Sequence, residues 1–75
     1  MPQMLDLKGL KCPLPVLRAR KALNGMAPDE ELVILVTDPA APDDFRAFCD
    51  QAGHALVGIE VEGDAHRVTV RRKSE

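Results

Sequence analysis

Leu32-Val33-Ile34-Leu35-Val36 is an unbroken run of branched apolar residues, with Pro28-Asp-Glu-Glu31 before it and Asp38-Pro39 after it. So short and apolar a run predicts an inner strand covered on at least one face. On either side of it the apolar period changes to that of a helix. Downstream, Phe45, Phe48, Cys49 and Ala52 fall at i, i+3, i+4 and i+7, which marks a core face. That helix opens at Pro42 with Asp43 and Asp44 in its first turn, where carboxylates favour the positive end of the dipole, and Gly53 ends it. Upstream, Val16, Ala19, Leu23 and Met26 share one face, Leu17 and Ala22 lie on its margins, and Leu14, Arg18 and Lys21 lie opposite. A first helix from about Pro13 to Gly25 follows, since proline suits a first turn in which its missing N–H has no partner.

The flanks complete the pattern. Met4-Leu-Asp-Leu7 alternates as a short strand, and Lys8-Gly-Leu-Lys11 is the loop after it. Val57, Ile59 and Val61 alternate with Gly58, Glu60 and Glu62. After a turn at Gly63-Asp64-Ala65, Val68 and Val70 alternate with Arg67, Thr69 and Arg71. This reads as a hairpin with one apolar and one wet face. The order is βαβαββ, an α/β (α+β) two-layer sandwich with two helices on one face of a four-stranded mixed sheet. Both crossovers are expected to be right-handed and parallel, and the last pair antiparallel. Residues 72–75 read as a frayed tail.

At 75 residues the chain is expected to be one domain, residues 1–75, burying roughly 60% of its unfolded surface. It has no apolar run long enough to span a bilayer and no charged-then-apolar leader, so a cytoplasmic location is the expectation and membrane partners are not expected. Two cysteines cannot make a secreted disulfide framework. With 3% aromatic residues, no Trp or Tyr and a net charge of −2, direct nucleic-acid binding is not expected either. The charge is unevenly spread. Lys8, Lys11, Arg18, Arg20 and Lys21 are five of the ten basic residues, and no Asp or Glu falls between Asp6 and Asp29. That segment therefore carries +5 and the rest of the chain −7, a local field that attracts anions or acidic partner surfaces.

The segment surrounds one thiol, in Lys11-Cys-Pro-Leu-Pro-Val16. Cys12 falls at the predicted N-cap of the first helix, where cysteine caps more weakly than Ser or Asp. Pro13 and Pro15 remove two early backbone donors, leaving the Leu14 and Val16 N–H groups to face a sulfur anion. A helix N-terminus and an adjacent Lys11 both lower a thiol's pKa, so a reactive thiolate able to attack a sulfur electrophile, or to carry a persulfide, is the expectation. The plainer alternative is an inert, space-filling cysteine, a role that fits Cys49 on the apolar face with Phe45 and Phe48. The two histidines, His54 and His66, stand at no spacing that supplies a catalytic base. No Cys-x-x-Cys is present, Cys12, Cys49, His54 and His66 have no zinc spacing, and no metal or cofactor is expected. With no resolving thiol beside it, a persulfide on Cys12 has to pass to another protein.

Leu5-Asp-Leu-Lys-Gly-Leu-Lys-Cys-Pro-Leu-Pro-Val-Leu17, with Cys-Pro-x-Pro after an L-D-x-x-G-x element, resembles the signature of the TusA (SirA-like) sulfur-carrier family. The likeness continues through Arg20-Lys-Ala-Leu23, Asp38-Pro39, Gly53-His54 and a closing basic hairpin. The resemblance implies that Cys12 accepts sulfane sulfur as a persulfide, with Pro13 and Pro15 as its scaffold. It implies a cysteine desulfurase or rhodanese-like donor and a downstream acceptor protein, in tRNA thiolation, molybdenum cofactor synthesis or sulfur oxidation, with some relatives tied to selenium. Lys11 is expected to support the thiol, and Lys8, Leu14, Arg18 and Lys21 to dock partners. A monomer is the simplest state for such a carrier. Two other readings compete with it: an adaptor module that binds a partner through the basic helix face, and a redox sensor that forms sulfenic acid at Cys12.

Overall fold

The computed structural model describes residues 3–74. Its elements run β1 (Gln3–Asp6), α1 (Leu14–Asn24), β2 (Glu31–Val36), α2 (Ala41–Ala52), β3 (Ala55–Glu62) and β4 (Ala65–Arg71). The run that decides the fold is β2, an inner strand whose residues alternate between half-buried and fully buried. Leu32, Ile34 and Val36 face the helices with no exposed surface at all, joined by Val68 and Val70 from β4. Ala19 and Leu23 of α1 and Phe45, Phe48 and Cys49 of α2 close the other side of this core. The branched run therefore has one dry face and one half-wet face, as an open sheet covered on one side requires.

The strand order is β1-β2-β4-β3. β1 pairs parallel with β2, and β4 lies between β2 and β3, antiparallel to both. The crossover through α2 thus joins strands of the same direction but steps over one place, which the hairpin's return strand fills. An inner β4 has both edges paired and one face under the helices, and this explains why Val68 and Val70, on that face, are fully buried.

Two sequence expectations change. Val57, Ile59 and Val61 do not form one packed row, because the β3–β4 register slips between Leu56 and Gly58. Val57 is the extra residue of this bulge, so Leu56 and Ile59 pack on the core while Val57 is 49% and Val61 72% exposed. The end of the chain is also held rather than frayed through residue 73. The Arg72 N–H donates to the Glu30 carbonyl at 2.8 Å, the Arg72 Nε donates to the Leu23 carbonyl at the end of α1, and the Lys73 N–H donates to His54 Nδ1. Glu75 lies outside the described residues. The bulge makes a direct prediction for denaturant unfolding. Leu56→Ala costs about 2 kcal/mol as a half-buried core truncation, whereas Val57→Ala stays within about 0.5 kcal/mol. The reverse order would place the wrong residue on the core face.

Candidate functional site

Asp38, just past the end of β2, holds the loop that carries Cys12. Its Oδ2 accepts the Cys12 N–H at 2.6 Å and its Oδ1 accepts the Ala40 N–H at 3.0 Å. One carboxylate thus ties the entry of α1 to the entry of α2. Thr37 adds a second tie, its Oγ1 accepting the Gly9 N–H at 2.9 Å. Gly9 sits at φ 85°, a left-handed value that favours glycine. The backbone of Cys12 is therefore fixed while its side chain remains exposed and free of any disulfide.

The local geometry around it corrects the sequence reading. The cap residue of α1 is Pro13, not Cys12, and no side chain caps the helix. The Cys12–Pro13 peptide bond is cis. Pro15 lies in the first turn and is buried, so it anchors the helix end to the core as well as omitting a donor. The Leu14 N–H, expected to face a sulfur anion, instead donates to the Lys11 carbonyl at 2.8 Å.

The charge around the thiol also runs against expectation. Asp44, from the first turn of α2, accepts a hydrogen bond from the thiol. That bond, partial desolvation, and the negative charges of Asp44 and Asp38 hold the Cys12 pKa above the ordinary thiol value. Lys11 acts elsewhere: the Ala40 and Cys12 N–H groups hold the Asp38 carboxyl below the usual carboxylate range, and the Lys11 charge adds to them. Cys12 at rest is thus a thiol beside carboxylates that favour its protonated form, where the sequence pointed to a thiolate facing a lysine. The physical reason is reach across the fold, since Asp38 and Asp44 are remote in sequence and the folded loop brings both to the sulfur.

Cys12 opens into a cleft of about 220 Å³ between the two helices, lined by Pro13, Val16, Arg20, Asp44, Ala47, Phe48 and Gln51. Arg20 stacks its guanidinium on the Phe48 ring, 5.5 Å from the centroid. The predicted docking residues divide. Arg18 and Lys21 line a separate hollow of about 690 Å³ beside β1, with Gln3, Leu5 and Leu7. Lys8 sits near Asp6, 3.9 Å away. Leu14 is 43% exposed at the start of α1 but does not line the cleft. Cys49 is buried, and burial pushes its thiol up to about 11, in keeping with a space-filling role. Among the described residues, no group of three or more His, Cys, Asp and Glu is placed to hold a metal ion, and no helix is long and apolar enough to cross a membrane.

Sequence reasoning missed Asp38, Asp44, Arg20, Phe48 and Gln51 as neighbours of the thiol. Asp38-Pro39 had a legible signal, a carboxylate directly after an inner strand, but its partner lies 26 residues away.

Comparison with known proteins gives a consistent picture. The family profile described as Sulfurtransferase TusA matches residues 3–72. A Neisseria meningitidis serogroup A protein described as a candidate sulfur carrier is 46% identical over 71 residues, covering 95% of this chain and 96% of the relative. The sulfur carrier protein TusA of Allochromatium vinosum is 41% identical over 70 residues, covering 93% and 92%. Among solved structures, the SirA-like protein from Desulfitobacterium hafniense superposes with a TM-score of 0.80 at 26% identity, covering 93% of this chain and 96% of that one.

The acidic setting of the thiol has a measurable consequence. A raised pKa leaves Cys12 protonated at neutral pH, so iodoacetamide alkylation is slower there than for an unperturbed thiol. The rate climbs with pH to a midpoint above the ordinary thiol value. Asp44→Asn removes the acceptor's charge, moves the midpoint to lower pH and speeds alkylation at neutral pH. A midpoint below the ordinary thiol value in the wild type would restore the lysine-activated picture.

Proposed function

The chain belongs to the TusA sulfurtransferase family and carries sulfur in a relay between proteins; we propose that Cys12 is the residue on which the sulfur rides, as a persulfide. The observation that supports this most is a single exposed thiol whose main chain is pinned by Asp38 at the mouth of an interhelical cleft. An inert cysteine has no use for such a mount. Cys49, buried in the core, shows what an inert one looks like here.

The step balances without an outside oxidant. The Cys12 sulfur attacks the outer sulfur of a donor persulfide; a new S–S bond forms and the donor's S–S bond breaks. The Cys12 proton goes to Asp44, already its hydrogen-bond acceptor, and from there to the departing donor thiolate. Discharge is the reverse: the acceptor's thiol gives its proton to Asp44, its sulfur takes the outer sulfur as the Cys12 S–S bond breaks, and Asp44 passes that proton to the departing Cys12 thiolate. A group that both takes and returns a proton suits a carrier, because loading and unloading are the same reaction run in opposite directions.

Pro13 and Pro15 stiffen the mount, and Lys11 acts through Asp38, whose ionised form it favours. Lys8, Leu14, Arg18 and Lys21 offer a basic and partly apolar surface outside the cleft for docking a cysteine desulfurase, a rhodanese-like donor or an acceptor protein. A cytoplasmic, monomeric carrier fits a free working thiol and a chain that has to change partners. The test is incubation with a cysteine desulfurase and cysteine, followed by mass analysis of the Cys12 peptide. The expected result is the added mass of one sulfur atom, removed by reductant and missing in Cys12→Ser. No added sulfur on Cys12, or the same addition in the serine variant, would remove Cys12 from the relay. Cellular function left intact by Cys12→Ser would favour an adaptor instead.

A further inference from the structure

The cleft at Cys12 does not end at Phe48. Arg20, Phe48 and Gln51 also line a second hollow of about 310 Å³, which continues along the helix pair to Asn24, His54 and Lys73. The two hollows adjoin at these three shared residues and have unlike outer ends. At the thiol end stand the carboxylates of Asp44 and Asp38. The middle is apolar, from Pro13, Val16, Ala47 and Phe48. Arg20 lines both hollows, and the far one adds Lys73, the side-chain amides of Asn24 and Gln51, and the His54 imidazole.

The far end is held in place. His54 packs its ring against Phe48, 5.6 Å between centroids, and its Nδ1 accepts the Lys73 N–H at 3.0 Å. An accepting Nδ1 puts the proton of the neutral ring on Nε2, so the imidazole offers a donor there. The Lys73 chain lies against Gly53, its Cδ 3.7 Å from where a Cβ would stand, and Gly53 holds the left-handed φ of 82° that ends α2. No carboxylate among the described residues pairs with Arg20 or Lys73. Two cations, amides and an N–H donor therefore converge on one hollow in a chain whose net charge is −2.

We infer that these adjoining hollows read an extended segment of a partner protein, with the partner's cysteine at Cys12 and an acidic side chain, several residues away, seated between Arg20, His54 and Lys73. The reading rests on Cys12 as the exchange point. It adds a direction: an acidic residue belongs at the far end and is unwelcome beside the partner's cysteine, where Asp38 and Asp44 repel it. Selectivity comes from the repulsive end as much as the attractive one.

The test uses the full chain and ten-residue peptides whose single cysteine is activated as a mixed disulfide with thionitrobenzoate. Cys12 attacks the peptide sulfur, the coloured thiolate leaves, and its absorbance gives the rate. Peptides with Glu three to seven residues from the cysteine should react about two- to fivefold faster than those with Gln or Lys there, the worth of one exposed charge pair. The advantage should disappear in Lys73→Glu, at high salt, and when the Glu is moved next to the cysteine. Equal rates for all the peptides, alongside normal reaction with a small uncharged disulfide, would overturn the segment reading alone. So would an advantage that survives both Lys73→Glu and high salt. Failure of Cys12 to react even with the small disulfide would overturn the exchange-point reading, and this inference with it.

Discussion

The Asp38 carboxylate is the interaction on which the site depends. It stands where the central strand gives way to α2, and its two oxygens hold the N–H of Cys12 and the N–H of Ala40. Those two residues precede the two helices of the core layer. The strand is fixed by the pairing of β2 with β1 and β4, so whatever holds the end of β2 also holds the thiol. The rigidity of the sheet is thereby passed to one sulfur atom on the surface. A carboxylate is suited to this task because each oxygen can accept a separate charge-assisted bond.

The same choice sets the chemistry. An anchor made from a carboxylate brings negative charge to the thiol, and Asp44 adds more from the facing helix. The basic residues that dominate the local sequence turn outward: Lys8 toward Asp6, and Arg18 and Lys21 toward the β1 side. Only Arg20 turns into the cleft, where it stacks on Phe48. A thiol that keeps its proton until a partner arrives is protected from stray electrophiles, since the thiolate is the reactive form. A carrier exposed to solvent between partners gains from that restraint.

Much of this was legible in the sequence, and the exceptions share one cause. The element order, the helix faces and the inner position of Leu32–Val36 follow from periodicity, which is local. The exposed cysteine and its prolines were also legible as a motif, being contiguous. The place of β4 between β2 and β3 was not, because pairing partners are chosen in three dimensions. Nor was the bulge at Val57: Leu56-Val57-Gly58-Ile59 alternates acceptably in either phase, and only packing against Val68 and Val70 decides. The sign of the field at Cys12 was misread for the same reason. Neighbours in sequence are basic, whereas neighbours in space are Asp38 and Asp44. The held tail depended on Arg72 reaching the end of α1, which no local pattern announces.

The most direct measurement of the central claim is a relay carried through both steps. The protein is loaded from a cysteine desulfurase with cysteine carrying labelled sulfur, separated from the donor, and mixed with a rhodanese-like protein whose cysteine is free. The label should leave the Cys12 peptide and appear on the second protein's cysteine, with no transfer in Cys12→Ser. Label that never resides on Cys12, or that stays there in the presence of the acceptor, would contradict the account.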